Sequence, residues 1–278
     1  MSAFESLLRR ERTVAAGAIA ILAGLAWVYI WRGAGMGISA LDMTAFTLFP
    51  HLKPDAMAGM QATSGMPGLP SAPVVAAGWA TIVLMWWTMM IAMMTPSAAP
   101  LLLLYGRVLR QRVPEPRPEY AAPIVLAAGY LTVWLAFSIA ASSIQIALQR
   151  AGLVSATMLR SQSVALSAAV LMAAGVYQLS PLKYACLRRC RGPVEFLVRH
   201  WRAGRAGAFV MGLRHGAWCI GCCWMLMALL FVGGVMNLVW VALLALLVLV
   251  EKIAPVGVLA SRLAGTALIV WGAATVWV

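Results

Sequence analysis

The residues with the most chemistry to offer in this chain are soft. Methionine and cysteine number 17 and 5 in 278 residues, and both cluster. The first cluster is the run MWWTMMIAMMTPSAAP, residues 85–100. With about 100° between successive residues of an α-helix, Met85, Met89 and Met93 share a stripe about 80° wide, and Met90 and Met94 form a second stripe beside it. Thioethers are neutral, soft ligands that suit Cu(I), and a ladder of weak sites lets an ion both enter and leave. The same spacing also serves packing, because methionine fills gaps between helices. Pro96 and Pro100 remove the donors for the carbonyls of Ala92 and Pro96, which predicts a kink in the inner half of this helix.

The second cluster is HGAWCIGCCWMLM, residues 215–227. On a helix Met211, Cys222, His215, Cys219 and Cys223 fall within about 120°. One face then offers three thiols, an imidazole and a thioether. A single cysteine in a helix is a small hydrophobe; three at i, i+3 and i+4, with His215 four residues before them, fit a soft metal. Counted at about 1.5 Å per residue, Met85 and Cys219 both lie near the middle of a hydrocarbon core about 30 Å thick, so a shared site between the two helices is geometrically open.

Two further groups extend a path on either side. Met36, Met43, Met57, Met60 and Met66 accompany Asp42, His51 and Asp55 in a long Gly- and Pro-containing stretch, 33–73, which either collects a soft cation or serves as a flexible connector. Cys186 and Cys190 stand four apart among Lys183, Arg188, Arg189 and Arg191, on one face if a helix runs through them.

These residues must be carried by membrane helices. The chain is 63% hydrophobic and 10% charged, against roughly 45–50% and about 25% in a soluble domain. Its apolar runs reach the roughly 20 residues that cross a bilayer. The expectation is an all-α, polytopic transmembrane bundle forming one integral domain over residues 1–278. About seven spans are expected, near 14–31, 74–104, 121–146, 164–186, 206–231, 235–250 and 256–276. Gly233 and Gly234 alone separate the fifth span from the sixth, which predicts a tight antiparallel hairpin. The first span reads as an uncleaved anchor, since its apolar stretch exceeds a signal-peptide core of about 7–15 residues.

The formal charge of +13 comes from 21 Lys and Arg against 8 Asp and Glu. Most of these bases flank apolar runs, a pattern that answers to membrane orientation and anionic headgroups and excludes a nucleic-acid partner. With the N-terminus inside, only Arg32, Lys53, Arg150 and Arg160 of the 21 lie outside, which places the C-terminus outside. Pro114, Pro116 and Pro118 predict an extended inner loop. The stretch 183–205 reads as a helical extension followed by a segment on the inner membrane face. Glu251 and Lys252 read as an interfacial charge pair, Asn237 and Gln145 as bonds to neighbouring helices, and Trp86, Trp87, Trp218, Trp224 and Trp240 as packing around the clusters.

Three blocks carry a family resemblance: MWWTMMIAMMTPSAAP, then YQLSPLKYACLRRCRGP at 177–193, then GAWCIGCCWMLMALLFVGGVMNLVW followed by EKIAP up to Pro255. Together they resemble the DUF2182 family of bacterial integral membrane proteins, described as predicted metal-binding. The resemblance covers about 74–255 and implies a polytopic helical fold with a metal site at Met89, Met93, Cys186, Cys190, Cys219, Cys222 and Cys223. It supplies no reaction. The Met-x-x-x-Met stacking is also similar, as a spacing analogy, to that of high-affinity copper uptake transporters.

The expected function is therefore binding, handling or transport of a soft metal in the bacterial inner membrane. Copper(I) is favoured over zinc because thioethers outnumber hard ligands. Capture falls to the outer methionines, passage to Met85, Met89, Met93 and Met94, and holding to Cys219, Cys222 and Cys223, with His215, Cys186 and Cys190 completing the candidate ligands. One alternative is an accessory subunit that packs against a membrane-protein partner or a second copy of itself. Another is a metal-dependent oxidase or monooxygenase component, for which His51, His200 and His215 are too few. The sequence has no paired carboxylates in its spans, no Ser/His/Asp arrangement and no nucleotide-binding motif, so no catalytic residue is assigned.

Overall fold

The computed structural model of the chain describes residues 3–36, 39–44, 78–112, 122–155 and 159–277. The described chain is helical: α1 (Ala3–Trp31), α2 (Trp79–Arg112), α3 (Ala122–Arg150), α4 (Val164–Leu179), α5 (Pro181–Arg191), α6 (Pro193–His200), α7 (Gly204–Ala228), α8 (Leu230–Gly233), α9 (Leu238–Ile253) and α10 (Gly257–Trp277). Helices are what an apolar chain must form in lipid, where each backbone polar group has to be satisfied within its own segment. Five helices among the described residues are long and apolar enough to cross a membrane, and α4 with α5 makes a sixth if that bent pair is one span. The stretch expected as the sixth span is α9, a helix of 16 residues that starts three residues later than expected.

The fourth expected span is not one continuous helix. It ends at Leu179, and α5 departs at 63°. The cause is local: Pro181 cannot donate a hydrogen bond and pushes the residue before it out of the helical region. Ser180 is accordingly extended (φ −75°, ψ 147°), and its hydroxyl caps the new helix by accepting from the Lys183 amide at 3.2 Å. The helical extension past residue 183 does form, followed by the short α6. Neither Pro96 nor Pro100 interrupts α2.

The α7–α9 connection also differs from expectation. Gly234, at φ +99°, makes the turn, and Asn237 both caps α9 and bonds the neighbouring α8, as expected. Its Oδ1 accepts from the Trp240 amide at 3.2 Å and its Nδ2 donates to the Gly233 carbonyl at 3.1 Å. The two helices do not then lie along each other, because α9 leans chiefly on α2 and α10. The α3–α4 loop is pinned onto this turn, with Ser161 N donating to Phe231 O at 2.7 Å and Val235 N to Leu159 O at 3.1 Å.

Two close crossings set the positions of the site. Between α3 and α7, Gly129 faces the Phe209 backbone and Gly212 faces the Leu126 carbonyl, leaving no room for a Cβ on either glycine. Small residues of this kind let membrane helices approach backbone to backbone. The other crossing joins α4 to α10 through Gly175, Gly265 and Gly272. Gln145 does bond a neighbour as expected, accepting from Trp86 Nε1 at 2.6 Å and tying α3 to α2. Trp86 is fully buried, whereas Trp224 is 43% exposed and does not enclose the clusters.

Candidate metal centre

All five cysteines are free thiols, and four of them sit with the second methionine stripe. Cys219, Cys222 and Cys223 are buried on one face of α7. The bend at Ser180 swings α5 against that face, so Cys190 Sγ lies 3.9 Å from Cys222 Sγ. From α2, Met94 Sδ lies 3.9 Å from Cys223 Sγ. Cys186 packs over Gly221, where an added Cβ would come within 2.9 Å of its sulfur. The two cysteine groups that the sequence holds 32 residues apart therefore form one sulfur cluster.

The thiols are held in place by the helix that carries them. Cys222 and Cys223 both direct Sγ to the carbonyl of Cys219, at 3.1 and 2.9 Å. Cys219 itself faces two polar groups from other helices. Tyr130 of α3 brings its hydroxyl to 3.0 Å from Cys219 Sγ and donates to the Met94 carbonyl at 3.2 Å. Lys252 of α9 donates to Cys219 Sγ at 2.8 Å and to Ser97 Oγ at 3.1 Å.

This placement of Lys252 overturns the reading of Glu251 and Lys252 as partners at the interface. Glu251 instead receives Lys183 Nζ at 2.7 and 2.9 Å and Gln178 Nε2 at 2.8 Å. All three side chains are buried. Burying an ion pair is worth its desolvation only when the geometry is tight and the remaining valences are filled. Here the pair locks the end of α9 to α4 and α5, and so fixes the residue next to Glu251, which is Lys252.

The other expected ligands fall into three sets. Met85, Met89, Met90 and Met93 are buried in the same hydrophobic core as the cysteines; among the described residues Met94 is the methionine whose sulfur lies against a thiol. His215 is buried on the predicted face of α7, but its ring stands by Tyr130 and Phe196, at centroid distances of 5.8 and 5.3 Å, and its Nδ1 has no partner. Met211 turns away and accepts from the Arg202 amide at 3.4 Å. Of the outer group, Met43 is buried in the core, Met36 packs against it, and Asp42 accepts from Ser39 at 2.7 Å. His51, Asp55, Met57, Met60 and Met66 lie outside the described residues, as do Pro114, Pro116 and Pro118.

Among the described residues no three Cys, His, Asp or Glu side chains converge as a ready-made metal cage. The sulfurs meet in pairs contributed by different helices, with a thioether in one pair. These sulfurs are soft, have no carboxylate among them and are buried apart from the half-buried Cys190, a set that suits a soft metal rather than a hard cation. Sequence reasoning passed over Tyr130 and Lys252. The usable signal for Lys252 was a lysine ending an unbroken apolar helix, which is costly in lipid unless partnered.

By fold this is a multi-span helical membrane protein with sulfur side chains gathered inside the bundle. A sequence model of the family described as PpoB2, copper chaperone, matches residues 83–275, and the chain belongs to that family. It is the DUF2182 family that the three sequence blocks resemble. No curated protein and no solved structure matches the chain.

Proposed function

We propose that this protein holds Cu(I) as cargo inside the bundle, at Cys190, Cys219, Cys222, Cys223 and Met94, and passes it on to an acceptor. The observation that carries the reading is the meeting of sulfurs from α2, α5 and α7 at a buried point. Membership in a copper chaperone family supports the choice of metal. Met85, Met89 and Met93, stacked along α2 toward Met94, supply a thioether approach to the thiols, and the bacterial inner membrane is the setting. Passage from thioether to thiolate favours movement from the outer methionines inward.

Lys252 has a defined part in this reading. Two thiolates around one Cu(I) carry a net negative charge, which is expensive in a low-dielectric interior. The ammonium at 2.8 Å from Cys219 offsets that charge. Tyr130 adds a hydrogen bond at the same sulfur.

The test is copper content after anaerobic purification and Cu(I) loading of the full chain, comparing wild type with the combined Cys219→Ser, Cys222→Ser and Cys223→Ser variant. Retention of stoichiometric copper by the wild type and its loss from a folded variant is the expected result. Equal copper in both would end the proposal.

A further inference from the structure

The bundle has a concave site that the sulfur cluster does not use. A cleft of about 720 Å³ opens between α5, α6, the first half of α7 and the start of α10. Five arginines, Arg188, Arg189, Arg191, Arg199 and Arg214, line it against a single carboxylate, Glu195. That carboxylate is already taken by Arg199, at 3.0 Å. Arg191 donates to the Ala254 carbonyl at 2.6 Å, and the Arg189 guanidinium lies 3.6 Å over the Trp218 ring. Arg188 and Arg214 are exposed and have no hydrogen-bond or ion-pair partner among the described residues. Gathering this much like charge in one concavity calls for an anion to balance it.

The position of the cleft says which kind. Its wall includes Val258, at the start of the apolar span Gly257–Trp277. The apolar stretch of α7 and α8, Gly204–Gly233, has 30 residues, and at about 1.5 Å each it is about 15 Å longer than the hydrocarbon core. Arg205 and Arg214 both sit toward the Gly204 end of that stretch, so the excess length belongs at that end and Arg214 lies near headgroup level. Trp218 then lies one turn farther in, under Arg189 rather than packed around the sulfurs, and Cys219 is nearer this face than the mid-core depth expected of it. The two short helices that line the cleft, α5 and α6, also carry uncovered apolar side chains: Leu182, Val194 and Val198 are 64%, 62% and 77% exposed. A water-soluble anion would satisfy the arginines and leave these side chains in water. A phospholipid satisfies both, and basic pockets between spans are the usual form of headgroup sites.

We infer that this cleft seats the headgroup of an anionic phospholipid, its phosphate between Arg188, Arg189 and Arg214 and its acyl chains along Val194 and Val198. The site is separate from the sulfur cluster and stands whether or not the copper reading holds.

The experiment is native mass spectrometry of the delipidated full chain in neutral detergent, titrated with phosphatidylglycerol or with phosphatidylcholine, each with and without millimolar inorganic phosphate. Phosphatidylglycerol is expected to be retained preferentially and to resist displacement by phosphate. The exposed double variant Arg188→Gln with Arg214→Gln should lose that preference by roughly five-fold per arginine, since each basic side chain at an anionic surface contributes about that much. Equal retention of the two lipids by the wild type overturns the inference without reference to any variant. So does an unchanged preference in a double variant whose melting matches the wild type. Displacement by inorganic phosphate alone would make this a free-anion site and also overturn it.

Discussion

Replacing Lys252 by glutamine separates the role of its charge from the role of its bulk. Glutamine keeps an unbranched chain in the space between Cys219 and Ser97, removes the ammonium and adds no soft ligand. At the observed 2.8 Å, an ammonium and a thiolate attract by about 6 kcal/mol at an effective dielectric of about 20. Part of that is repaid by relief of burying the lysine, and double-charge sites of this kind lose about 3–5 kcal/mol when one partner is removed. A net loss of about 3 kcal/mol corresponds to a Cu(I) dissociation constant roughly 150-fold weaker. The assay is anaerobic competition against a chromogenic Cu(I) chelator with the full chain in detergent. Lys252→Arg, which keeps the charge, should recover most of the affinity. Wild-type affinity in Lys252→Gln would refute the counter-charge argument, and so would equal losses in the Gln and Arg variants.

Four further outcomes follow from the geometry. Glu251→Gln leaves Lys183 buried without its counter-ion and should cost about 3–5 kcal/mol, visible as a lower melting temperature in detergent; unchanged melting would mean that the pair does not anchor α9. Gly212→Leu places a side chain against the Leu126 backbone and should destabilise by about 1–3 kcal/mol while weakening Cu(I) retention, because it parts Tyr130 from Cys219. Mild oxidation of the apo protein should join Cys190 to Cys222, read by peptide mass mapping, and Cu(I) loading should block both that bond and alkylation of the cluster; oxidation unaffected by Cu(I) would exclude these sulfurs as ligands. Thiols must lose their protons to bind Cu(I), so affinity should fall on acidification, by about ten-fold per pH unit for each proton released; a flat profile between neutral and mildly acidic pH would argue for thioether ligation alone.

The helical character of the chain and the face shared by Cys219, Cys222 and Cys223 were legible because both follow from local period and composition. What sequence could not supply was the angle between elements. Cys186 and Cys190 read as a separate group until the Ser180–Pro181 bend carries α5 back over α7, although the proline that causes the bend is visible in the sequence. Met94 and Met93 are adjacent and equally soft, and only the packing of α2 against α3 and α9 decides that Met94 is the one that meets Cys223. Tyr130 was unmarked because an aromatic residue in an apolar helix has many uses; its role follows from sitting next to Gly129, where α3 and α7 cross with no room for a Cβ.

The paired arrangement of sulfurs bears on how a chaperone would let go of its cargo. A rigid cage of three or four thiolates on one element binds tightly and releases slowly, whereas a carrier must hold an ion and give it up. Here Cys190 belongs to α5 and Cys222 to α7, while Met94 belongs to α2 and Cys223 to α7. Each pair can be opened by displacing one element, and the two pairs need not open together. α5 is the element best suited to such a displacement, since it joins α4 through the extended Ser180 rather than through continuous helix. The Lys183–Glu251 pair fastens α5 to α9 and sets the resistance to that motion. Weakening this pair in Glu251→Gln should therefore speed transfer of Cu(I) to a chelator more than it weakens equilibrium binding. A stopped-flow transfer rate equal to that of the wild type would place the release step elsewhere in the bundle.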